Sequence, residues 1–227
     1  MTKRATCFFC AFSLITLLIS QQTLAKSSSI PKINSIVEFT GNWEEIGRQQ
    51  AYYFPETTIQ VATIIQLLLG VSGDDVRQHY EELKDMIPET IQQQMQGIAD
   101  GLTQYWYIPA DKAWEIVLTL ELGGDVYNKK QQGSDEAVGC TAFAFHADNQ
   151  TFLAHNSDQQ KTGLDLWATS HFVPDTGDNA FISLGVPAGA VSVGMVINEK
   201  GVGMTFNVGR PNKNPVAGVP VMHMVRE

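Results

Sequence analysis

The chain has 227 residues, 15 basic and 24 acidic, with a formal net charge of −9. That length, with few charges and no low-complexity tract, suits one ordinary globular domain. The acidic balance argues against nucleic acid or an anionic membrane surface as a partner.

Residues 1–25 read as a signal peptide. Lys3 and Arg4 form a basic n-region, Cys7 to Ile19 an apolar run short for a membrane span, and Thr23-Leu24-Ala25 a small-residue cleavage site. A lipoprotein signal is not expected, because neither Cys7 nor Cys10 follows the apolar run. Cleavage after Ala25 takes Lys3 and Arg4 from the 15 basic residues. That leaves 13 against 24 acidic and a net charge of −11. The expected location is secreted or periplasmic, with no stable membrane anchor once the signal is removed. Cys140 is then the one cysteine left, an exported thiol with no internal disulfide partner.

After a Ser-rich lead-in at 26–32, Ile33 to Phe39 reads as a short strand. Asn42 with Glu45 reads as a capped helix start, running to Phe54. Pro55 punctuates it, and Thr57 to Leu69 forms an apolar helix ended by Gly70. Asp74-Asp75 opens a helix to Met86, and Pro88 a helix to Ala99 that ends near Gly101. A last helix runs from Pro109 to Leu122, where Gly123-Gly124 breaks the pattern. Tyr105-Trp106-Tyr107 reads as core or pocket lining, and Asp125 to Glu136 as an exposed linker.

From Cys140 the apolar period becomes two. Thr141 to His146, Phe152 to Asn156, Ala168 to Val173, Ala180 to Leu184, Val191 to Ile197 and Val202 to Asn207 read as strands. Turn signals such as Asp148-Asn149 separate them, and their close spacing implies antiparallel sheet. From Val219 the pattern turns helical again and stops at Glu227, so the expectation is a sequence incomplete at its C-terminus.

A cysteine nucleophile needs a base and a site for the oxyanion. His146, His155, His171 and His223 are available as partners, and no local signature singles one out. The alternative needs no histidine. Cutting the Gly139–Cys140 bond frees an α-amino group whose reference pKa, near ~8, lets it act as base on the same residue as the thiol. Gly139 has no Cβ to obstruct close approach of that thiol to its carbonyl. Asp158 falls just past the second strand of a hairpin that begins at Cys140, where a carboxylate can orient the new amine.

Three motifs carry a family resemblance: Gly139-Cys140-Thr141, His155-Asn156-Ser157-Asp158, and Val196 to Met204 leading to Asn207. With Gly41 to Gly47 upstream and Gly218-Val219-Pro220 downstream, the chain over 33–227 resembles the penicillin acyltransferase-like peptidase family of N-terminal nucleophile hydrolases. Acid ceramidase, penicillin V acylase and bile salt hydrolase are more distant relatives. The resemblance implies an α+β fold, an αββα sandwich, with a helical pro-region at 26–139 and the β-rich start of the catalytic domain at 140–227. It implies self-cleavage between Gly139 and Cys140, with the two fragments remaining associated. Cys140 becomes nucleophile and base, Asp158 lies beside it, Asn156 belongs to the same motif, and Asn207 supplies an oxyanion N–H.

The implied reaction transfers an acyl group from a small-molecule N-acyl, non-peptide amide to Cys140, then to water or another acceptor. No cofactor or metal is expected. His155 stands where relatives carry Arg or Gln, and Ser157 where close relatives carry Trp. Later strands of the family supply a further asparagine and an arginine that this sequence does not contain. Two other readings stay open. One is a truncated, catalytically inactive relative with only a binding role; the other is a cysteine amidase that uses a Cys–His pair without self-cleavage.

Overall fold

The structure, a computed structural model, describes residues 36–130, 140–157, 166–190 and 193–205 of the chain. The signal peptide read at 1–25, the lead-in after it and the helix read from Val219 lie outside those residues. Strand β1 (Ile36–Gly41) buries Val37 and Phe39 and exposes Ile36, Glu38 and Thr40, since successive strand side chains point to opposite faces. Helix α1 (Trp43–Tyr53) begins where Asn42 and Glu45 predict it. The Asn42 side chain accepts from the Glu45 N–H at 3.0 Å, and the Glu45 carboxylate accepts from the Asn42 N–H at 3.0 Å. Together they satisfy two N–H groups that a first helical turn leaves unmatched.

Pro55 occupies the first turn of α2 (Pro55–Leu69), where its missing N–H costs nothing. Gly70 ends α2 in the left-handed region, at φ 64°. A second capping box, Ser72 with Asp75, starts α3 (Gly73–Leu83), which a 3₁₀ turn at Lys84–Met86 extends. Lys130 and then Ser72 hydrogen-bond the Asp75 carboxylate and hold its pKa down at about 2, against an ordinary 3.8. A depressed carboxylate stabilises the fold above its unfolded pKa. That contribution is lost as pH falls from about 4 towards about 2. In an acid titration followed by circular dichroism, Asp75→Asn is expected to start less stable at neutral pH and to lose less across that window than the wild type.

Helix α4 (Glu89–Trp106) corrects the predicted stop at Gly101, and Pro88 caps it from outside the first turn. Gly101 is a packing glycine: a Cβ there would stand 2.7 Å from the Ala51 Cβ and 3.0 Å from the Arg48 carbonyl oxygen. Helix α5 (Ala110–Lys130) likewise runs through Gly123-Gly124, where a Cβ on Gly123 would meet Ile65 Cγ2 at 2.6 Å. The linker read from Asp125 is therefore helical as far as Lys130, with Val126 buried; 131–136 lie outside the described residues.

The helical core is built from Ile91, Met95, Ile98 and Leu102 of α4, Val117, Leu118 and Leu122 of α5, and Val71 and Val76. α1 and α4 cross at Gly47 and Gly97, where a Cβ on either would drive into a carbonyl oxygen of the other helix, Gln94 or Glu44.

A five-stranded sheet has the order β1-β4-β5-β6-β7, with β4 (Ala168–Pro174), β5 (Phe181–Val186), β6 (Val193–Asn198) and β7 (Gly203–Thr205). β2 (Cys140–Ala147) and β3 (Gln150–Ser157) form a separate hairpin. Consecutive strands from β2 to β3 and from β4 to β7 pair antiparallel, as their spacing predicts. The pairing of β1 with β4 is parallel and was not legible in the sequence. It joins a strand from before Cys140 to one from after it.

Side chains reinforce that junction. Phe39, Trp43, Ile46, Phe54 and Phe172 form one buried cluster, and Trp43 Nε1 donates to Asp178 Oδ2 at 2.7 Å. Gln94 Nε2 donates to Gln50 Oε1, and Gln50 Nε2 donates to the Gly189 carbonyl at 2.9 Å. The Ala190 N–H donates to the buried Glu121 carboxylate. Glu121→Ala strands that N–H and should lower stability by about 1–3 kcal/mol. Glu121→Gln keeps an acceptor oxygen and should keep most of it; urea midpoints of the two variants test this.

The hairpin contacts β6 and β7, with Leu153 Cδ2 only 3.2 Å from where a Gly203 Cβ would lie. Its other face carries the exposed, stacked rings of Phe143, Phe145 and Phe152. The fold is α+β. Among the described residues, no single helix is long and apolar enough to cross a membrane.

Candidate functional site

Asp148 and Asn149 both take positive φ, 51° and 59°, and close β2 onto β3 in a two-residue turn. Short polar side chains tolerate that conformation, and it matches the twist of the flanking strands. The turn fixes the register over the whole hairpin. Gln150 pairs with Ala147 at one end, and Ser157 with Cys140 at the other.

Cys140 therefore opens β2 at the end of the hairpin remote from its turn. Its side chain is half-buried and it is a free cysteine. Asp158 follows Ser157, the register partner of Cys140, and itself lies outside the described residues, as do Gly139 and Asn207. Asn156 pairs with Thr141, one residue out of phase with Cys140. The strand alternation thus puts Asn156 on the opposite face of the hairpin from the thiol.

The same alternation brings an unexpected residue to Cys140's face. His155 pairs with Ala142, two residues along from Cys140, and so shares the inner face with Cys140 and Leu153. Its ring is half-buried, and Nε2 is sealed from solvent with no hydrogen-bond partner. The sequence offers His155 as one of four candidate histidines. The two-residue turn, counted outward, is the signal that separates it from the others.

His146 meets Thr151 Oγ1 at 3.1 Å near the turn, and His171 meets Glu38 Oε2 at 3.0 Å across β1 and β4. His146 is thus engaged at the turn end of the hairpin, and His171 on the five-stranded sheet rather than the hairpin. His223 is outside the described residues.

The aromatic triplet divides three ways. Trp106 packs on the helical core and donates Nε1 to the Ala51 carbonyl at 3.0 Å. Tyr105 meets Tyr52 edge-on, and Tyr107, at φ 57°, is 87 % exposed. Of the three, only Trp106 is held by the core in the way the sequence suggests. Among the described residues, no group of three or more His, Cys, Asp or Glu side chains is placed to hold a metal ion.

The arrangement can present a thiol at a strand start, on the hairpin face turned toward the main sheet. No family model matches the chain, and no curated protein matches it either.

Proposed function

We propose that the protein is an exported, self-processing N-terminal nucleophile hydrolase that cleaves or transfers the acyl group of N-acyl, non-peptide amides through Cys140. The observation that carries this reading is the register: Cys140 is the first residue of β2, and its partner is the residue immediately before Asp158. The contacts of β3 with β6 and β7, and of Val196 with the helical core, support a layered arrangement of the αββα kind.

In the first step the Cys140 thiol attacks the Gly139 carbonyl. The S–C bond forms as the C–N bond breaks, and the freed nitrogen takes up a proton. Water then hydrolyses the thioester, leaving a carboxylate on Gly139 and a free amine on Cys140. In turnover that amine takes the thiol proton and delivers it to the departing amine of the substrate. Asp158 orients the amine, and N–H groups of the kind expected at Asn207 stabilise the oxyanion.

β1 remains paired to β4 across such a cut. The contacts of Trp43, Gln50 and Glu121 with the segment after Cys140 add to the hold, so the two fragments would stay together.

The test is a burst experiment with a chromogenic N-acyl amide. The reading expects stoichiometric release of the amine before steady state and an acyl adduct mapped to Cys140 by peptide mass. Steady hydrolysis with no adduct on Cys140 would contradict it.

The Cys–His reading keeps one specific observation in its favour, the placement of His155 on the thiol's own face. It differs from the first reading in requiring no cut at Gly139.

A further inference from the structure

Strand β2 is open to solvent on both of its faces. From Phe143 to Ala147 every residue is exposed, although successive side chains point to opposite sides. Among the described residues its one strand neighbour is β3, and β3 rather than β2 carries the hairpin's packing on β6 and β7. Natural sheets blunt a free edge with charged residues, proline or a bulge. β2 has none of these: Cys140 to Ala147 contains no Lys, Arg, Asp, Glu or Pro, and its register with β3 is unbroken. Asp148 in the turn is the one formally charged residue from 140 to 157.

The turn also sets which backbone groups face the open edge. A two-residue turn closes with a hydrogen bond between its flanking residues, here Ala147 and Gln150. Alternation along an antiparallel ladder then directs the N–H and C=O of Phe145 and Phe143 toward β3. Those of Ala142, Ala144 and His146 point outward, to the open edge.

We propose that this edge pairs with the same edge of a second copy, β2 against β2, with the two-fold axis at Ala144. A two-fold interface requires residue i to face j while j faces i, and the sequence around Ala144 meets that demand. Phe143 comes opposite the partner's Phe145, and Phe145 opposite the partner's Phe143. These are non-hydrogen-bonded positions, where facing side chains approach most closely. Within one copy Phe145 already stacks on Phe152 at 4.8 Å and on Phe143 at 6.2 Å. The pairing continues that row of rings across a four-stranded sheet, two strands from each copy.

Charge selects the same arrangement. Two chains of net charge −9 repel each other, and an uncharged strand is where they meet at least cost. The antiparallel axis sets the two Asp148 residues at opposite ends, about 26 Å apart and well beyond a screening length of about 8 Å. One strand pair with its flanking rings is a small interface, below about 1,200 Å², which suits association in the micromolar range. The inference is independent of the chemistry at Cys140.

The test is sedimentation velocity of the purified protein from ~1 to ~500 µM, a range that brackets such an affinity. The wild type is expected to pass from monomer to dimer across it. Ala144→Lys and Ala144→Glu each set like charges face to face on the axis, and each alone should dimerise about fivefold more weakly. An equimolar mixture of the two should recover the wild-type affinity, because opposite charges then meet at the axis. The Ala144 side chain is exposed, so either charge is accommodated, and matching circular dichroism checks the fold. A wild type that stays monomeric throughout overturns the inference and leaves the edge to a strand of a different protein. A dimer that survives both charges overturns it too, as does a mixture no tighter than either variant alone, since both results put the contact elsewhere.

Discussion

Cys140→Ala is expected to leave the chain uncut at Gly139 and to bring amide hydrolysis down to background, a loss on the order of 10⁶-fold for an essential nucleophile. On the proposed reading one atom links the two effects, because the same sulfur would attack the Gly139 carbonyl first and the substrate carbonyl afterwards. Thermal stability should change little. Cys140 sits at the open end of the hairpin, half-buried and outside both buried apolar clusters, so removing its sulfur leaves no core cavity. A wild-type melting curve with no cut and no turnover therefore separates loss of chemistry from loss of fold. If the variant is uncut and still hydrolyses amides at the wild-type rate, the nucleophile lies elsewhere.

Gly97→Ala is expected to destabilise the fold by about 2–3 kcal/mol, the upper part of the range for forcing atoms into a filled interior. The added Cβ would collide with the Glu44 carbonyl oxygen of α1, which belongs to backbone and cannot swing aside. Relief requires α1 and α4 to separate, and that opens contacts along the helix pair and over the Phe39–Trp43–Phe172 cluster beneath α1. Alanine's better helix propensity returns up to about 1 kcal/mol, too little to reverse the sign.

Gly124→Ala is the matched control, since a Cβ there meets nothing within 4 Å. It should keep the propensity gain and melt slightly higher. For a unit of this size about 2–4 °C in Tm accompanies each kcal/mol, so the two variants should differ by roughly 6–16 °C. Equal melting temperatures would contradict the close crossing.

Other glycines show what the sequence could and could not reveal. Asn42 with Glu45, and Gly70, announce helix ends through local chemistry, and the helices begin or end there. Gly101 and Gly123 look the same in sequence as a helix stop, yet each serves a helix–helix contact made with residues about fifty positions away. Nothing local distinguishes those roles.

The hairpin at Cys140 was legible because its turn, Asp148-Asn149, and its two-residue alternation are both local. The parallel pairing of β1 with β4 was not, because its partners are separated by 133 positions at Glu38 and His171. Of the candidate site, Cys140 was visible as the one cysteine outside the N-terminal segment that reads as a signal peptide. His155 was visible only as one histidine among several, until the register placed it on the thiol's face.

If Cys140 becomes an N-terminus, intact-mass measurement of the purified wild-type protein, with N-terminal sequencing of each species, will find two co-purifying fragments, the second beginning Cys140-Thr141-Ala142. Cys140→Ala will give a single uncut species. A wild-type chain that stays whole through Gly139–Cys140 while turning over an N-acyl amide would contradict that reading.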